Sequence, residues 1–146
     1  MDCVFNPDNR TLRVKQSVTF TNNQNTPINE IYFHIYPNRE YNQRDKDFLF
    51  IYAGYFKINP FPDGFQKPDF KINRIYSSDK ELNYEITGED KTILKVILPF
   101  SISGGESAQI NLDFDLGLPH AYGRLGWHKN IISLGRWYPI LSVLDQ

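Results

Sequence analysis

The feature that most constrains the fold is a strict alternation of apolar and polar side chains in the second half of the chain. Its apolar members stand at every second position: Ala108, Ile110, Leu112, Phe114 and Leu116. Polar residues fill the intervening positions. Because successive side chains of a strand point to opposite faces of a sheet, this period of two predicts a strand with one buried and one solvated face.

Other stretches with strand character predict further strands. They cover residues 2–6, 12–21, 28–36, 70–77, 82–86 and 93–98. Turn-forming sequences rich in Asn, Asp, Gly, Pro and Ser separate them, at residues 6–9, 77–80, 88–91 and 104–105. About seven or eight short strands connected in this way predict an all-β fold, a saddle-shaped or sandwich-like antiparallel domain.

Three polar residues of the predicted strands are candidates for a specific role. Gln16 interrupts the apolar side of residues 12–21, so we expect either a β-bulge or a polar partner there. Asp113 and Asp115 share one strand face, and paired carboxylates can perform acid–base chemistry in a cleft. Because they stand opposite an uninterrupted apolar face, we expect them to lie on a solvated surface instead.

Residues 37–70 interrupt the strands with a long segment rich in proline and aromatic residues. We expect a short helix over about residues 44–52 and otherwise a long loop held against the sheet by its aromatic side chains. Long ordered loops in compact domains are uncommon and often functional. The alternative is a loop that only covers one face of the sheet.

Composition excludes several classes of partner. The chain has 146 residues and a net charge of −1, without a block of like charges, so nothing favours nucleic acid or an anionic membrane. No apolar run approaches the ~18 residues of a membrane-spanning helix, so direct membrane insertion is not expected. The single cysteine, Cys3, excludes an internal disulfide. The length suits one domain, residues 1–146.

A search for catalytic motifs finds none. A zinc-protease helix needs two histidines at positions i and i+4 with a glutamate between them, and His34, His120 and His128 lack that spacing. A glycine-rich phosphate loop after a strand and a G-x-S-x-G elbow are also missing. We therefore expect no catalytic residue, no metal site and no cofactor in this chain.

The most distinctive stretch is residues 119–139, which holds both tryptophans, two arginines and two histidines among glycines and prolines. Tryptophan, tyrosine and arginine are typical of recognition surfaces. The candidate site residues are therefore Arg124, Trp127, His128, Arg136, Trp137 and Tyr138. We expect a shaped loop that forms either a domain junction or lid, or a direct contact with a ligand.

Several segments, taken in order, resemble one protein family. They are residues 31–38 (IYFHIYPN), residues 98–106 (LPFSISGGE), residues 124–127 (RLGW) and residues 137–141 (WYPIL). Together they resemble the N-terminal domain of M1-type gluzincin aminopeptidases, most closely bacterial members. The resemblance extends over essentially the whole chain.

The resemblance implies a saddle-shaped β-domain without a catalytic centre. In that family the H-E-x-x-H zinc helix and the strand that binds the substrate amine lie in the following domain, and neither motif occurs here. This chain alone is then inactive, and zinc belongs to the catalytic domain of a longer parent protein. The partners of this chain are that catalytic domain and the peptide substrate of the parent protein. Related N-terminal domains lend a Gln or Glu to the substrate amine; the corresponding position falls near His128, where this chain has neither.

Three hypotheses follow. The first is a non-catalytic domain, cut from a longer chain, that docks on the catalytic domain of a zinc aminopeptidase and walls its cleft. The second is a stand-alone β-sandwich module that binds glycan or peptide. The third is a structural domain of a membrane-attached assembly whose peptidase part has decayed. The first also predicts an exposed aromatic patch that drives dimerisation. The compartment stays undecided, although the bacterial relatives are often exported or membrane-attached.

Overall fold

A computed structural model describes residues 1–142. Within that range the chain forms eleven strands and one α-helix: β1 (Asp2–Asn6), β2 (Thr11–Thr21), β3 (Ile28–His34), α1 (Gln43–Tyr55), β4 (Asp69–Ser77), β5 (Lys80–Glu81), β6 (Asn83–Thr87), β7 (Ile93–Ile102), β8 (Ser107–Gly117), β9 (Leu125–His128), β10 (Ile131–Leu134) and β11 (Ile140–Leu141). No helix within these residues is long and apolar enough to cross a membrane.

The strands form two principal antiparallel sheets. One has the order β1-β2-β8-β4-β5, the other has the order β11-β3-β7-β6, and β9 pairs with β10 in a separate hairpin. Buried side chains from both principal sheets, such as Phe114 on β8 and Phe33 on β3, belong to one hydrophobic cluster. The prediction of an all-β, sandwich-like antiparallel domain is confirmed.

The apolar side of strand β8 is buried as its sequence pattern predicts. It lies between β2 and β4, and its alternate apolar residues are 9% exposed at Ala108 and at most 1% exposed from Ile110 to Leu116. Burying a large aliphatic or aromatic side chain contributes roughly 1.5–3 kcal/mol. The apolar side of β8 is therefore a main contributor to the stability of the core.

The opposite side of β8 is less solvated than predicted. Asp115 pairs with Arg13 of β2, with 3.4 Å between Oδ1 and Nε. Asp113 stands between Lys15 and Arg74 in the strand register, and its Oδ1 is buried without a hydrogen-bond partner in the described range. The two aspartates lie on an open sheet face rather than in the groove described below.

Gln16 has a polar partner rather than a bulge. The pairing of β2 with β8 runs without a register shift, and the Gln16 side chain is 6% exposed. Its Nε2 donates a hydrogen bond to the carbonyl oxygen of Pro139 at 2.9 Å. This bond joins the first principal sheet to the segment that precedes β11.

The predicted strands differ from the observed ones in several places: β7, predicted over residues 93–98, continues to Ile102, and two further differences have a physical reason. Strand β3 ends at His34, because the following residues form a 3-10 turn over Tyr36–Asn38 and Pro37 has no N–H for a sheet ladder. In β6, Tyr84 and Ile86 are 41% and 36% exposed despite their alternation. Strand β6 is the edge of its sheet, so its side chains have neighbours on one side only.

The segment 37–70 contains more helix than predicted. Helix α1 has 13 residues, and Asn42 and Asp45 form a reciprocal capping box at its start. The aromatic residues around the helix pack mainly on one another, not on the sheet as expected. The edge-to-face pairs are Tyr41–Phe65, Phe50–Phe61, Phe61–Phe65, Tyr52–Phe56 and Tyr55–Phe56.

The predicted loop over residues 119–139 contains a hairpin, in which β9 pairs with β10, and the residues on either side of the hairpin are irregular. The Trp127 N–H donates to Pro119 O, and the Ala121 N–H donates to Trp127 O, so β9 is bound to the chain that leaves β8. Gly126 has φ +150°, and a Cβ there would lie 2.9 Å from Pro119 O. Only glycine permits this close backbone approach without strain.

Candidate functional site

A groove lies between α1, with the loop that follows it, and the base of the β9–β10 hairpin. We call it the α1 groove; its volume is about 540 Å³. Its walls include seven aromatic side chains: Tyr36, Tyr41, Tyr52, Phe56, Phe61, Phe65 and Tyr122. This volume and apolar lining are typical of sites for small molecules or short peptide segments.

Every charged side chain that lines the α1 groove within the described range is a cation. Arg39 pairs with Asp45 and Asp90 at 3.4 and 3.6 Å, and Lys67 pairs with Glu40. The other two cations are Arg124 and Arg136, and neither has a carboxylate partner among residues 1–142.

These two arginines belong to the same wall of the α1 groove. The Gly135 N–H donates to Arg124 O at 2.6 Å, which joins the two ends of the hairpin base and places both arginines there. The Arg136 guanidinium carbon lies 5.0 Å from the centroid of the Tyr36 ring, within the range of a cation–π interaction. The groove therefore combines aromatic walls with two cations that no carboxylate within residues 1–142 neutralises.

Beside the groove lies a second arrangement, the histidine cluster of Asp63, His120 and His128. The His120 Nδ1 lies 2.6 Å from Asp63 Oδ2, and its Nε2 lies 3.2 Å from His128 Nδ1. If His120 donates from Nδ1 to the carboxylate, its neutral Nε2 accepts and His128 Nδ1 must donate. His128 Nε2 is then an unprotonated nitrogen, and it is buried without a hydrogen-bond partner in the described part of the chain.

Ring packing holds the histidine cluster in place. The Trp127 ring stacks on His120 with centroids 4.2 Å apart, and Tyr122 packs on His128 with centroids 3.6 Å apart. Burial lowers the pKa of His128 below its ordinary value, and the neighbouring His120 and Lys129 lower that pKa further. The neutral imidazole is therefore the favoured form of His128.

The histidine cluster is a hydrogen-bonded chain rather than a ligand sphere. Both nitrogens of His120 are engaged, one with Asp63 and one with His128. Across residues 1–142, no group of three or more His, Cys, Asp or Glu side chains is placed to hold a metal ion. The geometry suits proton sharing between the two rings and the attachment of the loop after α1 to β9.

A third feature is the outer face of α1, formed by Phe48, Ile51 and Tyr55. These residues are spaced i, i+3 and i+7, so they lie on one side of the helix. They are 66%, 73% and 84% exposed. The opposite side, with Leu49, Ala53 and Phe56, lines the α1 groove.

The six sequence-predicted candidates fall into three neighbouring places. Arg124 and Arg136 line the α1 groove. Trp127 and His128 lie on β9, where His128 is a member of the histidine cluster and Trp127 stacks on His120. Trp137 packs against Phe114 of the core at 6.4 Å, and exposed Tyr138 contacts the Trp137 ring edge-on.

Sequence reasoning did not assign a site role to Asp63, His120 or Tyr122. Asp63 is 57 residues from His120, and the contact depends on the fold of the loop after α1. The Tyr122 N–H donates to Pro60 O at 2.8 Å, which brings this loop to the hairpin. The concentration of aromatic residues in both segments was the available signal that they meet.

No family model matches this sequence, and no curated protein matches it.

Proposed function

We propose that this chain is a non-catalytic β-domain that docks on an adjoining catalytic domain and forms one wall of its substrate cleft. The parent polypeptide would be an M1-type zinc aminopeptidase or a close variant. The resemblance of residues 31–38, 98–106, 124–127 and 137–141 to that family supports this identity. Under this proposal zinc and its ligands belong to the adjoining domain, and this chain contributes binding surface only.

The observation that carries the docking proposal is the outer face of α1. A helix that is apolar on two opposite sides is normally buried between two bodies. Here one side of α1 lines the α1 groove. On the other side, Phe48, Ile51 and Tyr55 are mostly exposed. Contiguous exposed apolar surface marks an interaction site.

The hairpin supplies further exposed apolar surface. On β10, Ile131 is 68% exposed, and Ile132 and Leu134 are each 39% exposed. Tyr138 is 36% exposed just after the hairpin. Docking would bury these side chains as well and would explain why a short hairpin carries so many of them.

The test divides the parent polypeptide into this chain and the remainder and measures the Kd of their association. We expect Ile51→Glu and Tyr55→Glu to weaken it by about ten-fold or more, equivalent to ~1.4 kcal/mol, because each places a charge in an apolar contact. Val4→Glu is the matched control, since Val4 is 68% exposed on β1. Equal effects of all three variants would contradict the proposal.

Two observations on the parent complete the test. The reading frame past Gln146 should encode H-E-x-x-H followed by a further glutamate. A following domain of the same fold with a broken H-E-x-x-H motif would favour the third hypothesis, in which the peptidase part has decayed. Aminopeptidase activity should be absent from the chain alone and present when both parts associate. A stop codon directly after this domain would contradict the docking proposal.

The α1 groove favours a second candidate, a stand-alone module that binds glycan or peptide. Its aromatic walls and hairpin arginines are residue types common in recognition sites. Saturable binding of such a ligand, together with a chain that ends here in the cell, would support this candidate over docking.

A further inference from the structure

We propose that the α1 groove binds a small amphipathic carboxylate, with the carboxylate at Arg124 and Arg136 and the apolar body against the aromatic walls. This site does not depend on the docking proposal, because it lies on the inner side of α1 and the outer face takes no part in it. It also differs from the peptide-amine pocket that the family resemblance implies, since its charged lining is cationic.

Charge defines one end of the ligand. Within the described range the groove is lined by four cations and no carboxylate. Two of these cations already have carboxylate partners: Arg39 pairs with Asp45 and Asp90, and Lys67 pairs with Glu40. Among residues 1–142, the two hairpin arginines are the groove cations without a carboxylate partner, so their charge is available to a bound anion.

The chemistry of these two arginines suits a carboxylate. Their backbones are joined by the hydrogen bond from Gly135 N–H to Arg124 O, and Tyr36 holds the Arg136 guanidinium against its ring. A planar guanidinium presents paired N–H donors that match the two oxygens of a carboxylate. An arginine already held by an aromatic ring loses less side-chain freedom when the anion binds.

Apolar surface defines the other end. On the α1 side, Tyr52 and Phe56 line the groove, and Phe61 lines it from the following loop. Tyr52 and Phe56 pack edge to face at 5.2 Å, which fixes their orientation. A wall of this kind accommodates a phenyl ring or a short alkyl chain, and the volume of about 540 Å³ suits a ligand of that size.

The experiment is calorimetric titration of the 146-residue protein with three probes of one shape: 4-phenylbutyrate, the neutral 4-phenylbutyramide and the cationic 4-phenylbutylamine. We expect saturable binding of the carboxylate, about ten-fold weaker binding of the amide and none of the amine. The double variant Arg124→Gln/Arg136→Gln should bind the carboxylate and the amide equally. Both arginines are exposed, so these changes should leave the thermal midpoint close to that of the wild type.

Lys80→Gln is the matched control, because Lys80 is an exposed cation on β5 that does not line the groove. It should retain the full preference for the carboxylate. Phe56→Leu should weaken the carboxylate and the amide to the same degree, since it changes the wall and not the charge. Absence of saturable binding, or a carboxylate preference that survives the double arginine variant, would overturn the proposal. Binding of acidic peptides without binding of 4-phenylbutyrate would overturn it too.

Discussion

The substitution Gln16→Ala tests whether the C-terminal segment is held to the sheet by a buried polar contact. Gln16 lies in the middle of β2 and is 6% exposed, and its Nε2 donates to Pro139 O at 2.9 Å. Pro139 is buried and immediately precedes β11, which pairs with β3 in the second principal sheet. The alanine variant removes the hydrogen bond that joins the Gln16 side chain to this segment.

Two costs and one gain set the size of the effect. A buried carbonyl left without its donor costs about 1–3 kcal/mol. The lost methylene adds ~0.8 kcal/mol. Against these, Gln16 Oε1 is buried without a partner in the described range, and its removal recovers about 1 kcal/mol. The net loss of unfolding free energy is therefore about 1–3 kcal/mol, which lowers the thermal midpoint by about 2–12 °C.

Urea unfolding followed by tryptophan fluorescence measures this loss where it occurs. Both tryptophans, Trp127 and Trp137, lie in residues 119–139, so the signal reports on the segment that Gln16 holds. Lys15→Ala is the control, because Lys15 is the exposed neighbour on the same strand and should change stability by less than about 0.5 kcal/mol. Equal stability of the two variants would refute the role given to Gln16.

Two further substitutions test the hairpin and the histidine cluster. Gly126→Ala should destabilise the protein by about 1–3 kcal/mol in urea unfolding, because the φ of Gly126 is +150° and the new Cβ would lie 2.9 Å from Pro119 O. Gly54→Ala is the control and should not destabilise the protein, because a Cβ at Gly54 meets nothing within 4 Å. Stability should also fall as the pH drops below about 6.5, because the lowered pKa of His128 lets the unfolded chain bind a proton that the folded chain resists. Thermal midpoints between pH 8 and pH 5 should show this fall in the wild type and a smaller one in His128→Gln, and identical profiles would contradict it.

The sheets were predictable because their signal is local. The alternation in β8 needs only a period of two to indicate which side is buried, and the structure confirms it from Ala108 to Leu116. The polar partner of Gln16 was foreseen as one of two outcomes, but Pro139 is 123 residues away and no local pattern identifies it.

The hairpin of β9 and β10 was missed because its four-residue strands lack alternation. Gly126 and His128 disrupt the pattern, and the pairing is stabilised by backbone bonds to Pro119 and Ala121. Helix α1 is longer than predicted because its capping box fixes the start and its apolar residues are distributed around the helix. The candidate residues were therefore identified without the contacts that place two of them in the groove, two at or against the histidine cluster, and Trp137 with Tyr138 beside the core.

Hydroxyl-radical labelling of Phe48 and Tyr55 tests the central claim, that the outer face of α1 is a docking surface. These residues are 66% and 84% exposed, and Phe100 on β7, which is 43% exposed, is the reference. The account predicts strong labelling of both in the isolated chain and protection of both, with Phe100 unchanged, in the full parent polypeptide. Equal labelling of Phe48 and Tyr55 in the two forms would contradict it.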